Sequence, residues 1–119
     1  MQNFLDASLY GASELVNDLS GDMSWLVDSR KDIVLGWVDF ANHNGEALDY
    51  NAHFAVCACS TTHGIDWPHD SIAQHETSHL FGAVDHTSIT PCIMDYWDAY
   101  WGVDVWCGDC YSCINSDIK

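Results

Sequence analysis

The sequence predicts an α+β domain in which a small mixed β-sheet packs on an N-terminal helix and a central helix. Three observations predict it. Apolar residues recur at helical spacing near the start, two apolar runs of strand length follow, and a helix-start signal with a glycine exit brackets residues 71–82. The order helix, strands, helix, without repeats, low-complexity segments or a linker, fits a single domain over residues 1–119.

Taken in order, Leu5, Leu9, Ala12, Val16 and Leu19 are spaced by four and three and mark one face of an amphipathic helix, with Gly21 placed to stop it. The run IVLGWVDF at 33–40 is apolar on both faces, which suits a central strand. NHNG at 42–45 reads as a turn. HFAVCAC at 53–59 is a second strand, with Phe54, Val56 and Ala58 on one face and His53, Ala55, Cys57 and Cys59 on the other. A loop with Pro68 leads to Ser71 and Gln74, a capping box opening a helix through about Phe81, and Gly82 ends it. From Thr90 onward the chain is turn-like, then rich in Trp, Tyr and Cys, with a last short helix expected.

Composition narrows the function. A chain of 119 residues that is 48% hydrophobic, with six Trp, five Tyr and four Phe, can bury one modest core and is too apolar for disorder. No apolar run approaches the roughly 20 residues of a membrane span. The start, MQNFLDASLYG, has neither a basic nor an apolar leader region, as expected of a trimmed or truncated beginning. Eighteen acids against three basic residues give a net charge of −15, a field that repels phosphate backbones and anionic membrane surfaces alike. Neither nucleic acid nor membrane is an expected partner. The Lys-poor balance resembles proteins of salt-rich settings, and an ordinary acidic surface explains it equally well.

The chemistry concentrates in QHETSHLFGAVDH at 74–86. His75 and His79 stand four apart on the expected helix, so both imidazoles project from one face, one turn apart. At that spacing two ring nitrogens reach one zinc ion at about 2.0–2.1 Å. Glu76, beside His75, sits next to the metal as a base for water whose pKa zinc lowers to roughly 7. In a chain with seven His and three Glu, His-Glu-x-x-His arises by chance about once in a hundred. Gly82 then lets the backbone leave the helix sharply so that Asp85, three residues on, can return to the metal. His86 is one position late and remains the rival third ligand.

HETSHLFGAVD resembles the zinc signature of the metzincin metallopeptidases in the variant with Asp in place of the third His, and Met94 in CIMDY is similar to the methionine of their Met-turn. Asp followed by His, then Pro-Cys before that Met, looks most like the snapalysin-type small neutral proteases. The resemblance covers residues 71–96; metzincins usually open with a strand before the first helix, and none is seen here. It implies a metzincin-like fold with a Met-turn and a zinc-dependent endopeptidase: His75, His79 and Asp85 hold Zn²⁺, Glu76 is the general base, and Tyr96, two after Met94, hydrogen-bonds the tetrahedral intermediate or is simply a packed aromatic. Met94 is a structural floor. The substrate, a peptide or protein, would lie extended along an edge strand, here 53–59, with the enzyme a monomer. Trp97, Tyr100 and Trp101 either line the pocket after the cut or pack in the core. His43, His53, His63 and His69 read as solvated or structural; a further cation site at His63, Asp66, His69 and Asp70 is the weaker alternative.

Six cysteines, at 57, 59, 92, 107, 110 and 113, point either to disulfides in an oxidising compartment or to a structural metal. Cys57 and Cys59 share a strand face about 6.6–6.8 Å apart, near the upper limit for a bridge, so each would pair elsewhere. The snapalysin-like resemblance favours a disulfide from Cys92 to Cys107 or Cys110, and with it secretion. Archaemetzincins instead place a Cys two before the Met and a CxxC after it around a second zinc. Cys92, Cys107 and Cys110 fit that pattern, with His86 where a cysteine is expected. Disulfides, structural zinc and free thiols stay open. So do two other classes of function: a zinc-binding scaffold without peptidase activity, and a Cys-rich interaction domain whose His spacing is accidental.

Overall fold

The computed structural model describes residues 11–27, 32–49, 52–62 and 66–118. Leu5 and Leu9 of the expected first helix, and His63, lie outside the described residues. Ala12, Leu15 and Val16 are the buried residues of helix α1 (Ala12–Met23), and Leu19 packs beside them, the spacing the sequence predicts for an apolar face. The helix does not stop at Gly21. That position is exposed with nothing around it, and an exposed helical glycine costs only about 1 kcal/mol, so α1 runs on to Met23 and tightens into a 3₁₀ turn at Ser24–Leu26. Its start is held from a distance: the Ala12 amide donates to Asn42 Oδ1 at 2.7 Å.

Among the described residues the sheet is mixed and three-stranded, in the order β1-β3-β2. Strand β1 (Val34–Ala41) runs parallel to β3 (Phe54–Thr61), and β2 (Gly45–Ala47) lies antiparallel on the other side of β3. Among the described residues β1 is therefore an edge, not the central strand expected at 33–40, and β3 is the centre. The reason lies in side-chain size. Ala55, Cys57 and Ala58 are small, so helices approach both faces of β3, and residues 54–58 are all buried. β1 packs Val34 and Val38 toward the α1 side, where Gly36 leaves room for Leu19, while Trp37 and Asp39 on its other face stay exposed.

NHNG is not a hairpin turn between neighbouring strands but a bend that carries the chain from one side of β3 to the other. Asn44 fixes it: its Nδ2 donates to Ala58 O at 3.1 Å and its Oδ1 accepts from Trp67 N at 3.1 Å. Asp66 accepts from Thr61 Oγ1 at 3.0 Å, His69 packs its ring 5.8 Å from Trp37, and Asp70 accepts from the Ser71 amide. Asp66, His69 and Asp70 thus each have a partner of their own among the described residues.

Helix α2 (His69–Leu80) crosses the second face of the sheet. It begins two residues before the expected capping box. Pro68, with φ preset near the helical value, stands at the N-cap and its carbonyl accepts from Ile72 N. Ser71 is buried inside the helix, and Gln74 reaches instead to Asp104 O at 2.8 Å. The far end follows the sequence. Gly82 takes φ 95°, its amide bonds His79 O and the Ala83 amide bonds Ser78 O, a complete left-handed helix exit that turns residues 83–86 back toward the helix.

The tail forms two helices rather than one, α3 (Tyr96–Tyr100) and α4 (Gly108–Ile118), and α3 is capped by the Asp95 side chain on Trp97 N. Two apolar clusters result. One joins α1 to the sheet through Leu15, Val16, Ala41, Phe54, Val56 and Ala58; the other gathers Ala83, Cys92, Ile93, Met94, Ala99, Cys110 and Ile114. Among the described residues no helix is long and apolar enough to cross a membrane.

Candidate metal centres

His75 and His79 of α2 are buried, and each is oriented by a carbonyl. His75 Nδ1 donates to Ile93 O at 2.9 Å, and His79 Nδ1 donates to Ala83 O at 2.8 Å. A neutral imidazole with Nδ1–H engaged offers Nε2 as a bare lone pair, the tautomer a metal needs. The helix exit at Gly82 delivers Asp85 to those lone pairs: Asp85 Oδ1 lies 2.9 Å from His75 Nε2 and 3.4 Å from His79 Nε2. Ligand bonds of about 2.0–2.1 Å at tetrahedral angles set donor atoms about 3.3 Å apart. Both imidazole–carboxylate distances stand near that separation, and all three donor atoms lie within 4.8 Å of one another. When each Nε2 carries a proton instead of facing an ion, hydrogen bonds from His75 and His79 hold the Asp85 carboxyl well below the usual carboxylate range. Burial pulls the His79 imidazole down, but the Asp85 hydrogen bond and the Glu76 charge outweigh it and leave its pKa raised.

Glu76 lies in the same cleft, 6% exposed. Burial pushes its carboxyl up to about 7, against the opposing pull of His75 and His79. One wall is the backbone of β2. A methyl group at Gly45 would sit 2.6 Å from both Cγ and Oε2 of Glu76, so only glycine lets strand and carboxylate pass at this distance. The sequence offered no sign of this contact beyond NHNG, read only as a turn. Gly45→Ala is expected to displace the Glu76 side chain and cost about 1–3 kcal/mol of stability, read by denaturant unfolding.

Met94 is fully buried and lines the cleft, and Trp67 packs edge-on against His75 at 4.9 Å, a contact the sequence did not signal. Tyr96 also lines the cleft, half-exposed, its ring edge-on to Trp67 at 5.1 Å. The space between β2 and these residues amounts to about 880 Å³, enough for several residues of an extended chain.

His86 turns the other way. Its Nε2 lies 3.1 Å from Cys110 Sγ, 3.6 Å from Cys92 Sγ and 3.7 Å from Cys107 Sγ. These four residues form a second group whose donor atoms lie within 4.8 Å of one another, and it could hold a metal ion. The Cys110 amide, at the start of α4, hydrogen-bonds the Cys107 sulfur and brings that thiol down to about 7; burial and the neighbouring thiols push Cys110 up. The neighbours Asp85 and His86 thus serve two different groups. Asp85→Ala is expected to weaken metal binding at the imidazole pair about 100-fold or more and leave the cysteine group loaded, as metal counts per chain would register.

The expected disulfides are not formed. All six cysteines are free thiols. Cys92, Cys107 and Cys110 converge with His86 on one point rather than pairing, while Cys57 is sealed between β3 and α2, where burial and the Glu76 charge push its thiol up to about 12. The argument for secretion drawn from disulfides loses its support.

The substrate strand expected at 53–59 is also corrected. β3 is paired on both sides, so its backbone groups are engaged in the sheet. The strand that walls the cleft is β2, and among the described residues no strand pairs with its outer edge. Compared with protein families, with characterised proteins and with solved structures, the chain matches none.

Proposed function

We propose that the protein is a zinc-dependent endopeptidase. The observation that carries this reading is the convergence of two carbonyl-oriented imidazoles and one carboxylate, their donor atoms within 4.8 Å of one another, with a buried glutamate in the same cleft. Two nitrogens and one oxygen suit zinc with a fourth position open, and three sulfurs with one nitrogen suit zinc with the position closed. His75, His79 and Asp85 would hold the first ion; His86, Cys92, Cys107 and Cys110 would hold a structural second.

When bound, the first zinc supplies an electrophile for the scissile carbonyl and acidity to water. Glu76 takes the proton from the attacking water and passes it to the departing amine, a transfer suited to a carboxyl whose burial already raises its pKa toward neutrality. Tyr96, which lines the cleft, would hydrogen-bond the developing oxyanion. The outer edge of β2, unpaired among the described residues, would receive the substrate backbone as an added strand, and Trp67 packs edge-on against His75.

The test is a metal count on the purified chain beside hydrolysis of a quenched peptide. Two zinc ions per chain, and cleavage that chelator abolishes and zinc restores, are the expected results. Tight zinc with no cleavage would leave a binding scaffold; no zinc at all would remove both metal readings.

A further inference from the structure

Peptide hydrolysis does not account for α3. The helix buries Ala99 and half-buries Tyr100, while its other rings are turned outward: Tyr96 is 48%, Trp97 61% and the following Trp101 77% exposed. Burying such rings would stabilise the fold by about 1.5–3 kcal/mol each, so their exposure is not what core packing selects. They are also ordered relative to one another. Starting from Trp67, whose ring touches His75, consecutive centroids lie 5.1 Å (Tyr96), 5.1 Å (Trp97), 5.9 Å (Tyr100) and 5.1 Å (Trp101) apart. The result is an unbroken file of five rings that leads from the metal-facing floor of the cleft out onto the surface.

Carboxylates cluster on the cleft that this file continues: Glu46, Asp49 and Asp95 line it together with Asp85 and Glu76, while the chain's basic residues, Arg30, Lys31 and Lys119, lie outside the described residues. Asp95, at the head of α3, is fixed by the amides of Trp97 and Ser88. The whole chain carries −15 with only three basic residues. Aromatic faces framed by carboxylates attract cations, through the ring quadrupole at close range and through the summed field at longer range. An apolar partner would have no use for the carboxylates, and an acidic one would be repelled.

Resting on the peptidase reading, we propose that Trp67, Tyr96, Trp97, Tyr100 and Trp101 form a track for the Lys- and Arg-bearing part of the substrate, so that the enzyme selects basic polypeptides. The ring file continues the cleft, so a chain lying along β2 extends onto it without a change of surface.

The experiment uses the full zinc-loaded chain and three quenched peptides with one common cleavable core, extended by a Lys/Arg-rich, a Ser/Gln-rich or a Leu-rich segment. The expected result is a kcat/KM about tenfold higher for the basic peptide than for the Ser/Gln peptide at low salt, shrinking as ionic strength rises. Trp101→Ala, at a solvent-exposed ring, should narrow that ratio about fivefold through KM. Equal rates on the basic and Ser/Gln peptides, or preference for the Leu-rich one, overturn the proposal and leave the peptidase reading standing. Cleavage of none overturns the peptidase reading instead. Tryptophan fluorescence then decides the track: quenching by the basic peptide alone supports it, and no response or equal response to all three overturns it.

Discussion

Glu76→Gln is expected to lower kcat for peptide hydrolysis by between about 10² and 10⁴ while leaving two zinc ions per chain. The amide keeps the shape of the carboxyl and fits the same space against Gly45, so the cleft is not rebuilt. None of the three donors, His75, His79 and Asp85, is altered, and both imidazoles keep their carbonyl partners. What disappears is the capacity to take a proton from water. The same residue sets the pH profile. Burial raises its pKa to about 7 without an ion, and a divalent cation beside it favours the carboxylate, so the rate should rise with pH with a midpoint below 7. Metal analysis beside steady-state kinetics checks both parts. Undiminished cleavage by a zinc-loaded Glu76→Gln protein would remove Glu76 from the chemistry.

Cys107→Ser should remove one of the two metal equivalents and destabilise the C-terminal half by several kcal/mol, a fall in Tm of about 10 °C or more. Cys107 precedes α4 and its thiol is brought down to about 7, while Cys92 and Cys110 belong to the second apolar cluster. An ion held here ties α4 to residues 86–92, which otherwise share only a small group of buried side chains. The damage should spread to the first metal. His86 is bonded to Asp85, its amide donates to Met94 O, and Ile93 O receives the His75 proton. Once the cysteine group is empty, two supports of the first site lose their anchor, and its zinc affinity should fall about 10- to 100-fold. Asp85→Ala acts on the first site alone. Thermal melts and competition with a chelator distinguish the two variants.

The first donor set was legible because its information is local. Two His one helical turn apart, a glycine to leave the helix and an Asp three residues later specify a shape without knowledge of the rest of the chain. The second set was half legible. The residues Cys92, Cys107, Cys110 and His86 stood out, but spacing does not say whether sulfurs meet in pairs or around a point; that depends on where α4 docks. Strand order was not legible because IVLGWVDF and HFAVCAC are similarly apolar, and the deciding difference, small residues on β3, acts only once helices lie on both faces. Pro68 displaced the capping box for a similar reason: Ser71 is drawn into the core by packing. Trp67 against His75 and Gly45 against Glu76 are contacts across the cleft, and no local pattern encodes them.

The division of the apolar residues into two clusters has a consequence for timing. Every residue of the first cluster precedes position 60, so α1 and the sheet have their own contacts early in synthesis. The carbonyl that orients His75 belongs to Ile93, and the Ile93 amide is itself held by Val105 O at 2.7 Å. The imidazole tautomer that presents Nε2 to a metal is therefore enforced only after residue 105 has emerged and turned back. A nascent chain would carry its HETSH sequence through synthesis as an ordinary helix and gain a binding centre afterwards, when its tail is in place.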